Sequence, residues 1–285
     1  MSKIAIVTDS TACLHGEIAE KYNIYISHLM IIFGNDSYQE FKDVSPSKFV
    51  ELLNEHDELP STSQPAIGVT AELYEKIFAE GYDEIIHLTI SSALSGTYAS
   101  AMSAAEMVNN EKIHLFDTKA LAYQQGSLAI EAAEMAQAGK SVDEILARMA
   151  QLQEGWFQAA VIDDLTNLKK GGRISSFSAS LGSMLQVKPV IGVRPNGMLE
   201  PTGKVRTFKK ALKFLVDKAK EANLDPEKDE IGILHMENPE AAAQIKAGVL
   251  EIYPNIKIVE LPLSLVVAVH AGPGAASIGW VRKSN

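Results

Sequence analysis

Short apolar runs alternate with longer amphipathic stretches along the first half of this chain. Ile4-Ala5-Ile6-Val7 is a continuous apolar run that closes on Thr8-Asp9-Ser10-Thr11, the pattern of a buried parallel strand delivering polar groups at its C-terminal end. That end is where open α/β sheets place ligands. A helix from about Gly16 to Tyr22, a strand from Ile24 to Phe33 and a helix from Pro46 to Leu53 follow, the last with Ser45 as its cap and Pro46 at its first position. Glu58 to Pro65 reads as a loop, punctuated by two prolines and three hydroxyl residues. It places Thr62-Ser63-Gln64 at the C-terminal end of the same sheet. A helix over Thr70 to Glu80, a strand over Glu84 to Ile90, the small-residue loop Ser91 to Thr97 and an Ala-rich helix over Tyr98 to Val108 come next. A strand from Ile113 to Phe116 and helices over Ala122 to Ala138 and Val142 to Gln153 complete an alternation of β and α that predicts a parallel sheet.

From Trp156 the pattern changes. A strand runs through Ala160-Val161-Ile162, followed by the polar stretch Asn167 to Ile174 and a small-residue helix from about Ser178 to Leu185. Val187 to Val193 and Met198 to Glu200 flank an Asn-Gly hairpin signal at Asn196-Gly197. A helix over Phe208 to Glu221, a strand over Glu230 to His235, a helix over Pro239 to Ile252 and a strand over Ile256 to Leu261 give a further αβ unit. Val266 to Val269 reads as an apolar strand that ends on His270, exposed at a lobe edge ahead of Gly272-Pro273-Gly274. The shift in pattern puts a boundary near Glu154-Gly155 and divides the chain into lobes 1–154 and 155–285.

With 285 residues, 46% of them hydrophobic, there is enough apolar material for a separate core in each lobe. A net charge of −10 argues against broad nucleic-acid binding, which needs a basic face. The single cysteine, Cys13, excludes an intramolecular disulfide and reads as a small buried residue. The N-terminus lacks the pattern of a signal peptide and reads as cytoplasmic. No apolar run approaches the roughly 18 to 20 residues of a membrane span, so lipid contact is limited to a single extracted molecule or a transient touch on a membrane surface.

The most informative local feature is Ser91 to Thr97. A serine-rich turn between a strand and a helix leaves backbone N–H groups at a helix N-terminus, where the dipole adds positive potential, and so favours an anion. Gly96 allows close approach and Ser95 offers a hydroxyl. The bland alternative is helix capping alone. Thr62 and Ser63 supply further donors, and an imidazole at His270 beside a carboxylate is chemically reasonable. Ser95, His270 and Asp9 or Asp117 can also be drawn as a hydrolase triad for acyl esters. The nucleophile elbow Gly-x-Ser-x-Gly is absent, however, with Ala93 and Thr97 at its glycine positions. His15, His28, His56, His87, His114 and His235 lack metal-ligand spacing, and no Walker A or Gly-x-Gly-x-x-Gly loop follows the first strand. Lys169, Lys170 and Arg173 form a basic turn in an acidic protein, with Arg206 in the same lobe.

Taken in order, Thr8-Asp9-Ser10-Thr11, Thr62-Ser63-Gln64-Pro65, Ser91 to Tyr98, Lys170-Gly171-Gly172-Arg173-Ile174, Val205-Arg206-Thr207 and His270 to Gly274 resemble the DegV family over nearly the whole chain. These are fatty-acid-binding proteins that serve as lipid-binding subunits of bacterial fatty acid kinase. The resemblance implies an N-terminal parallel-sheet α/β lobe and a C-terminal α+β lobe with a long-chain fatty acid between them. It assigns the carboxylate to Thr62, Ser95 and His270, with Ser63 and Gly96 beside them. It implies a carrier without catalytic residues or cofactor, whose bound carboxylate is phosphorylated to an acyl phosphate by a separate kinase and feeds phospholipid synthesis. Arg173 and Arg206 are expected to dock the kinase or steady the phosphate. Ala271 departs from the threonine more usual at that place.

Overall fold

A computed structural model describes residues 2–14, 16–163, 165–174 and 187–283. His15 and the helix expected over Ser178 to Leu185 lie outside the described residues. The chain divides into two compact units, Met1–Gln153 with Ser264–Val266, and Glu154–Leu263 with Val267–Asn285.

In the first unit the strands β1 (Ile4–Asp9), β2 (Ile24–Ser27), β6 (Glu84–Thr89) and β7 (Ile113–Asp117) form a wholly parallel sheet in the order β2-β1-β6-β7. β1 is buried along its whole length, as its unbroken apolar run requires. Helices α1 (Glu17–Tyr22), α3 (Ile67–Ala79), α4 (Thr97–Val108), α5 (Ala122–Gln137) and α6 (Val142–Leu152) belong to this unit. Val7, Tyr74, Ile77, Ile85 and Ala104 join strands to helices in one apolar cluster. Gly126 in α5 lets that helix ride directly on the turn after β1, since a Cβ there would stand 2.4 Å from the Ala12 carbonyl oxygen. Cys13, at the end of that turn, is fully buried.

Two expectations for this unit are corrected. The single strand over Ile24 to Phe33 is two strands in two sheets, because β3 (Met30–Phe33) pairs antiparallel with β4 (Asp36–Gln39) and β5 (Ser61–Ser63). The ladder with β1 stops at Ser27, and the Leu29 amide turns to the Ser10 hydroxyl at 3.0 Å. The segment with Thr62 and Ser63 is likewise not a loop. It is the edge strand β5, short because Pro60 and Pro65 bracket it. Helix α2 (Pro46–Glu55) begins where its Ser45 cap and Pro46 place it, the Ser45 hydroxyl accepting from Lys48 N.

The second unit is a six-stranded mixed sheet in the order β10-β9-β8-β13-β11-β12, built from β8 (Trp156–Val161), β9 (Lys188–Val193), β10 (Leu199–Val205), β11 (Glu230–His235), β12 (Lys257–Pro262) and β13 (Ala276–Val281). Only β11 and β12 run parallel, joined through α9 (Pro239–Ile252); the other pairs are antiparallel. The Asn-Gly hairpin falls as read, with Gly197 at φ 81. Helices α8 (Phe208–Ala222) and α9 pack Leu212, Leu215, Ile245 and Val249 with Ile231, Ile233 and Ile278 of the sheet. The Phe157 and Trp280 rings stack at 4.5 Å.

A third correction concerns the residues before His270. Leu265–Ala271 is a helix, here α10, counting Thr166–Lys170 as α7. Four apolar residues in a row are as compatible with a buried helix turn as with a strand. Contacts decide here: the Val266 amide bonds the Glu40 carboxyl at 3.1 Å, and Gly272, at φ 83, closes the helix onto the Ala268 carbonyl at 2.8 Å.

Candidate functional site

The Ser91 to Thr97 turn is locked into the first unit by its own hydroxyls. Ser91 N bonds the Ala120 carbonyl at 2.8 Å, and the Ser91 hydroxyl accepts from Ala93 N at 3.2 Å. Ser92 meets Asp117 twice, through its amide at 3.1 Å and its hydroxyl at 2.6 Å. Ser95 Oγ accepts from Thr97 N at 3.3 Å and lies 2.8 Å from Thr97 Oγ1. With Thr97 donating, the Ser95 hydrogen stays available to an incoming acceptor. Gly96, the cap of α4, contributes no side-chain capping bond, so the helix presents amides at its N-terminus.

The structure brings the Thr62 segment to this turn. The Gln64 side chain lies where a Cβ on Gly96 would be, at 2.8 Å, and Ser100 Oγ donates to the Pro65 carbonyl at 2.8 Å. Thr62 and Ser63 are half-buried on β5, and Ser95 is half-buried on its turn. Gly96 thus has a use beyond approach by a ligand, because a side chain there would displace Gln64.

In the second unit His270 is half-buried in the last turn of α10 rather than exposed at an edge. Its ring rests on Gly171, where a Cβ would stand 2.2 Å from Nδ1. Burial, with a smaller contribution from the Arg173 charge, holds the imidazole down at about 4, so it is neutral at neutral pH. It meets an acceptor through one N–H and not as a cation. Arg173 Nη1 donates to the Gly171 carbonyl at 2.7 Å, and Asn167 Nδ2 donates to the Val269 carbonyl at 3.0 Å, so the basic turn is tied to α10. Arg206 stands on different elements, exposed between β10 and α8.

Both carboxyls drawn for a hydrolase triad are held elsewhere. Asp9 takes Thr11 N at 3.1 Å and Ile90 N at 2.6 Å, and Asp117 takes Ser92 and Lys119 N. Among the described residues no group of three or more His, Cys, Asp or Glu side chains could hold a metal ion, and no helix is long and apolar enough to cross a membrane.

Glu40 is the residue that sequence reading missed. It is fully buried, takes the Ser264 hydroxyl at 2.6 Å and Val266 N at 3.1 Å, and so fixes the start of α10. Burial lifts its carboxyl to about 7. Within Gln39-Glu40-Phe41-Lys42-Asp43 nothing marks it as interior; the only local sign is structural, Phe41 at φ 59, a conformation that a bulky residue adopts at a cost.

The sequence profile of the DegV family matches residues 3–283. The chain belongs to the DegV family. Its fold is that of solved DegV proteins: one from Thermus thermophilus, described by its fatty acid binding, superposes with a TM-score of 0.91 at 27% identity, covering 98% of this chain and 99% of the other. DegV of Bacillus subtilis, described as a fatty acid binding protein, gives 0.89 at 34% identity over 99% and 100% of the two chains. A stearic-acid-binding protein from Eubacterium ventriosum gives 0.88 at 25% over 99% of each. The parallel-sheet unit and the α+β unit described above are therefore the two parts of a DegV fold.

Proposed function

We propose that this DegV protein binds one long-chain fatty acid and carries it as a non-catalytic subunit, with the carboxylate received by the Ser95 and Thr62 hydroxyls, Ser63, the Gly96 turn and the neutral His270. The observation that carries the reading is the Ser91 to Thr97 turn, where the Ser95 hydroxyl and helix N-terminal amides are prearranged for an acceptor, and where the carboxylate at the turn, Asp117, is taken by Ser92 and not by Ser95. Similarity to three solved fatty-acid-binding relatives supports the ligand class. Burying an acyl chain contributes about 0.8 kcal/mol per CH2, so a few polar contacts suffice to orient a tightly held ligand. Those contacts are still required, because a buried carboxylate without donors costs several kcal/mol.

In this reading a separate kinase transfers a phosphoryl group from ATP to the bound carboxylate, and the acyl phosphate enters phospholipid synthesis. Arg173, beside His270, and the exposed Arg206 are the cations suited to the kinase or to the new phosphate. Mass spectrometry of lipid extracted from the purified protein tests the carrier reading, with one fatty acid per chain expected. Recovery of none, together with failure to take up added oleate or palmitate, would refute it. Ser95→Ala should weaken oleate binding about 10- to 100-fold, the worth of one hydrogen bond to a charged group. Arg206→Ala should slow phosphorylation at limiting carrier without changing oleate affinity; equal rates would remove Arg206 from the kinase contact.

A further inference from the structure

Four short contacts run in series at the C-terminal end of β1. Asp9 Oδ1 meets Thr11 Oγ1 in a very short contact, Thr11 Oγ1 lies 2.8 Å from Gln125 Oε1, Gln125 Nε2 lies 3.1 Å from Thr8 Oγ1, and Thr8 Oγ1 lies 2.8 Å from the Leu88 carbonyl oxygen. All five residues are fully buried, so each contact needs a hydrogen from within the series.

The hydrogens can be counted from the far end. The Leu88 carbonyl only accepts, which commits the Thr8 hydrogen to it. Thr8 Oγ1 must then accept, so the nitrogen of Gln125 faces Thr8 and its oxygen faces Thr11. The Thr11 hydrogen goes to that oxygen. Nothing remains for the contact between Thr11 and Asp9 unless Asp9 supplies it. Reversing the Gln125 amide provides a hydrogen at Thr11 but removes one at Thr8, because both amide hydrogens sit on one atom. Four contacts need four hydrogens, and with Asp9 ionised Thr8, Thr11 and Gln125 fill only three.

The rest of the surroundings suits an acid with its hydroxyl on Oδ1. Oδ2 accepts from Ile90 N at 2.6 Å, and Oδ1 can still accept from Thr11 N at 3.1 Å. Burial is the main influence on the Asp9 carboxyl and raises it; the groups that oppose this are hydrogen bonds from Thr11, Ile90 and Gln125, none of them a cation. Cys13, the titratable neighbour on the same turn, is itself pushed up, by burial first and then by the Glu40 carboxyl, and so brings no charge to the site.

We propose that Asp9 is a neutral carboxylic acid at neutral pH and thereby a specificity-determining residue for an anionic ligand, fixing Ile90 at the head of the Ser91 to Thr97 turn without placing a negative charge beside it. The specificity role rests on the fatty-acid reading of the turn; the protonation does not.

Infrared difference spectroscopy of the wild type against Asp9→Asn at neutral pH, paired with oleate titrations, tests both parts. The expected result is a carboxylic-acid carbonyl stretch that Asp9→Asn lacks, while a second acid band from Glu40 persists in both proteins below its midpoint of about 7. Asp9→Asn keeps the neutral charge, the acceptor for Ile90 N and a donor for Thr11 Oγ1, losing only the acceptor for Thr11 N, and should retain most of the oleate binding. Asp9→Ala should bind about tenfold more weakly, as buried amides left without acceptors predict. If no acid band is lost in Asp9→Asn, or if that variant binds oleate markedly more tightly, Asp9 is ionised and the proposal is wrong. An Asp9 band with no oleate uptake by any of the three proteins overturns the ligand and the specificity role, while the protonation stands. Thr11→Val supplies a second reading if Asp9→Asn does not fold: the Asp9 band must shift on losing its acceptor oxygen, and an unshifted spectrum counts against the proposal.

Discussion

The two ends of α10 face the same physical problem with opposite signs. At its start Glu40 is withdrawn from water and its carboxyl rises from 4.5 to about 7; at its finish His270 is withdrawn and its imidazole falls from 6.5 to about 4. Burial disfavours charge whatever its sign, so both groups are neutral between those two values. Their consequences for stability diverge. Glu40, raised, contributes stability that is complete below about pH 4.5 and is lost as pH rises through about 7. His270, lowered, contributes stability that is present above about pH 6.5 and is lost as pH falls through about 4. Over the shared window one gains as the other loses, and the helix is best held in the middle.

Removing either end breaks this balance. The largest effect is expected from Glu40→Gln, which eliminates an acid-side gain of at most about 3 kcal/mol and leaves the His270 loss uncompensated. Urea unfolding from pH 8 down to 5 should then show stability falling with acidification, where the wild type is flatter; parallel curves for the two proteins would contradict the placement of Glu40. Gly171→Ala should drive the imidazole from its slot at a cost of about 1 kcal/mol or somewhat more. The His270 ring, followed by NMR, should then titrate nearer 6.5, with oleate affinity reduced; an unchanged titration would show that the ring does not depend on Gly171. Arg173→Gln removes only the smaller cause of the His270 shift, so its titration should move slightly upward. A larger movement than in Gly171→Ala would reverse the ranking of charge and burial.

How much of this could be read from the chain depends on how far apart the partners lie. Ile4 to Val7 and the Ser91 to Thr97 turn were legible because their chemistry is local: an apolar run with polar residues at its end, and small residues between a strand and a helix. Pro46 after Ser45 likewise fixed a helix start. The break at His28-Leu29 carries no glycine or proline and is imposed by the Ser10 hydroxyl, so one strand was expected where two exist. Val266 to Val269 was ambiguous in itself, and its helical form is secured by Glu40, more than 200 residues earlier in the chain. Ser95 is recognisable from its small-residue turn and His270 from its place before the Gly-Pro-Gly turn, and the family resemblance assigns both to a carboxylate, but the neutrality of His270 and the Thr97 support of Ser95 belong to packing. Glu40 and Gln125, the polar interior, left no local trace.

The placement of Cys13 and of the stacked Trp280 has a practical consequence for following the two units separately. Both tryptophans, Trp156 and Trp280, lie in the α+β unit, whereas the single cysteine is sealed behind β1 in the parallel-sheet unit. Selectively excited tryptophan fluorescence therefore reports on one unit and thiol labelling on the other. A denaturant series read with both probes would show whether the protein melts in one step or two, and which unit a ligand protects.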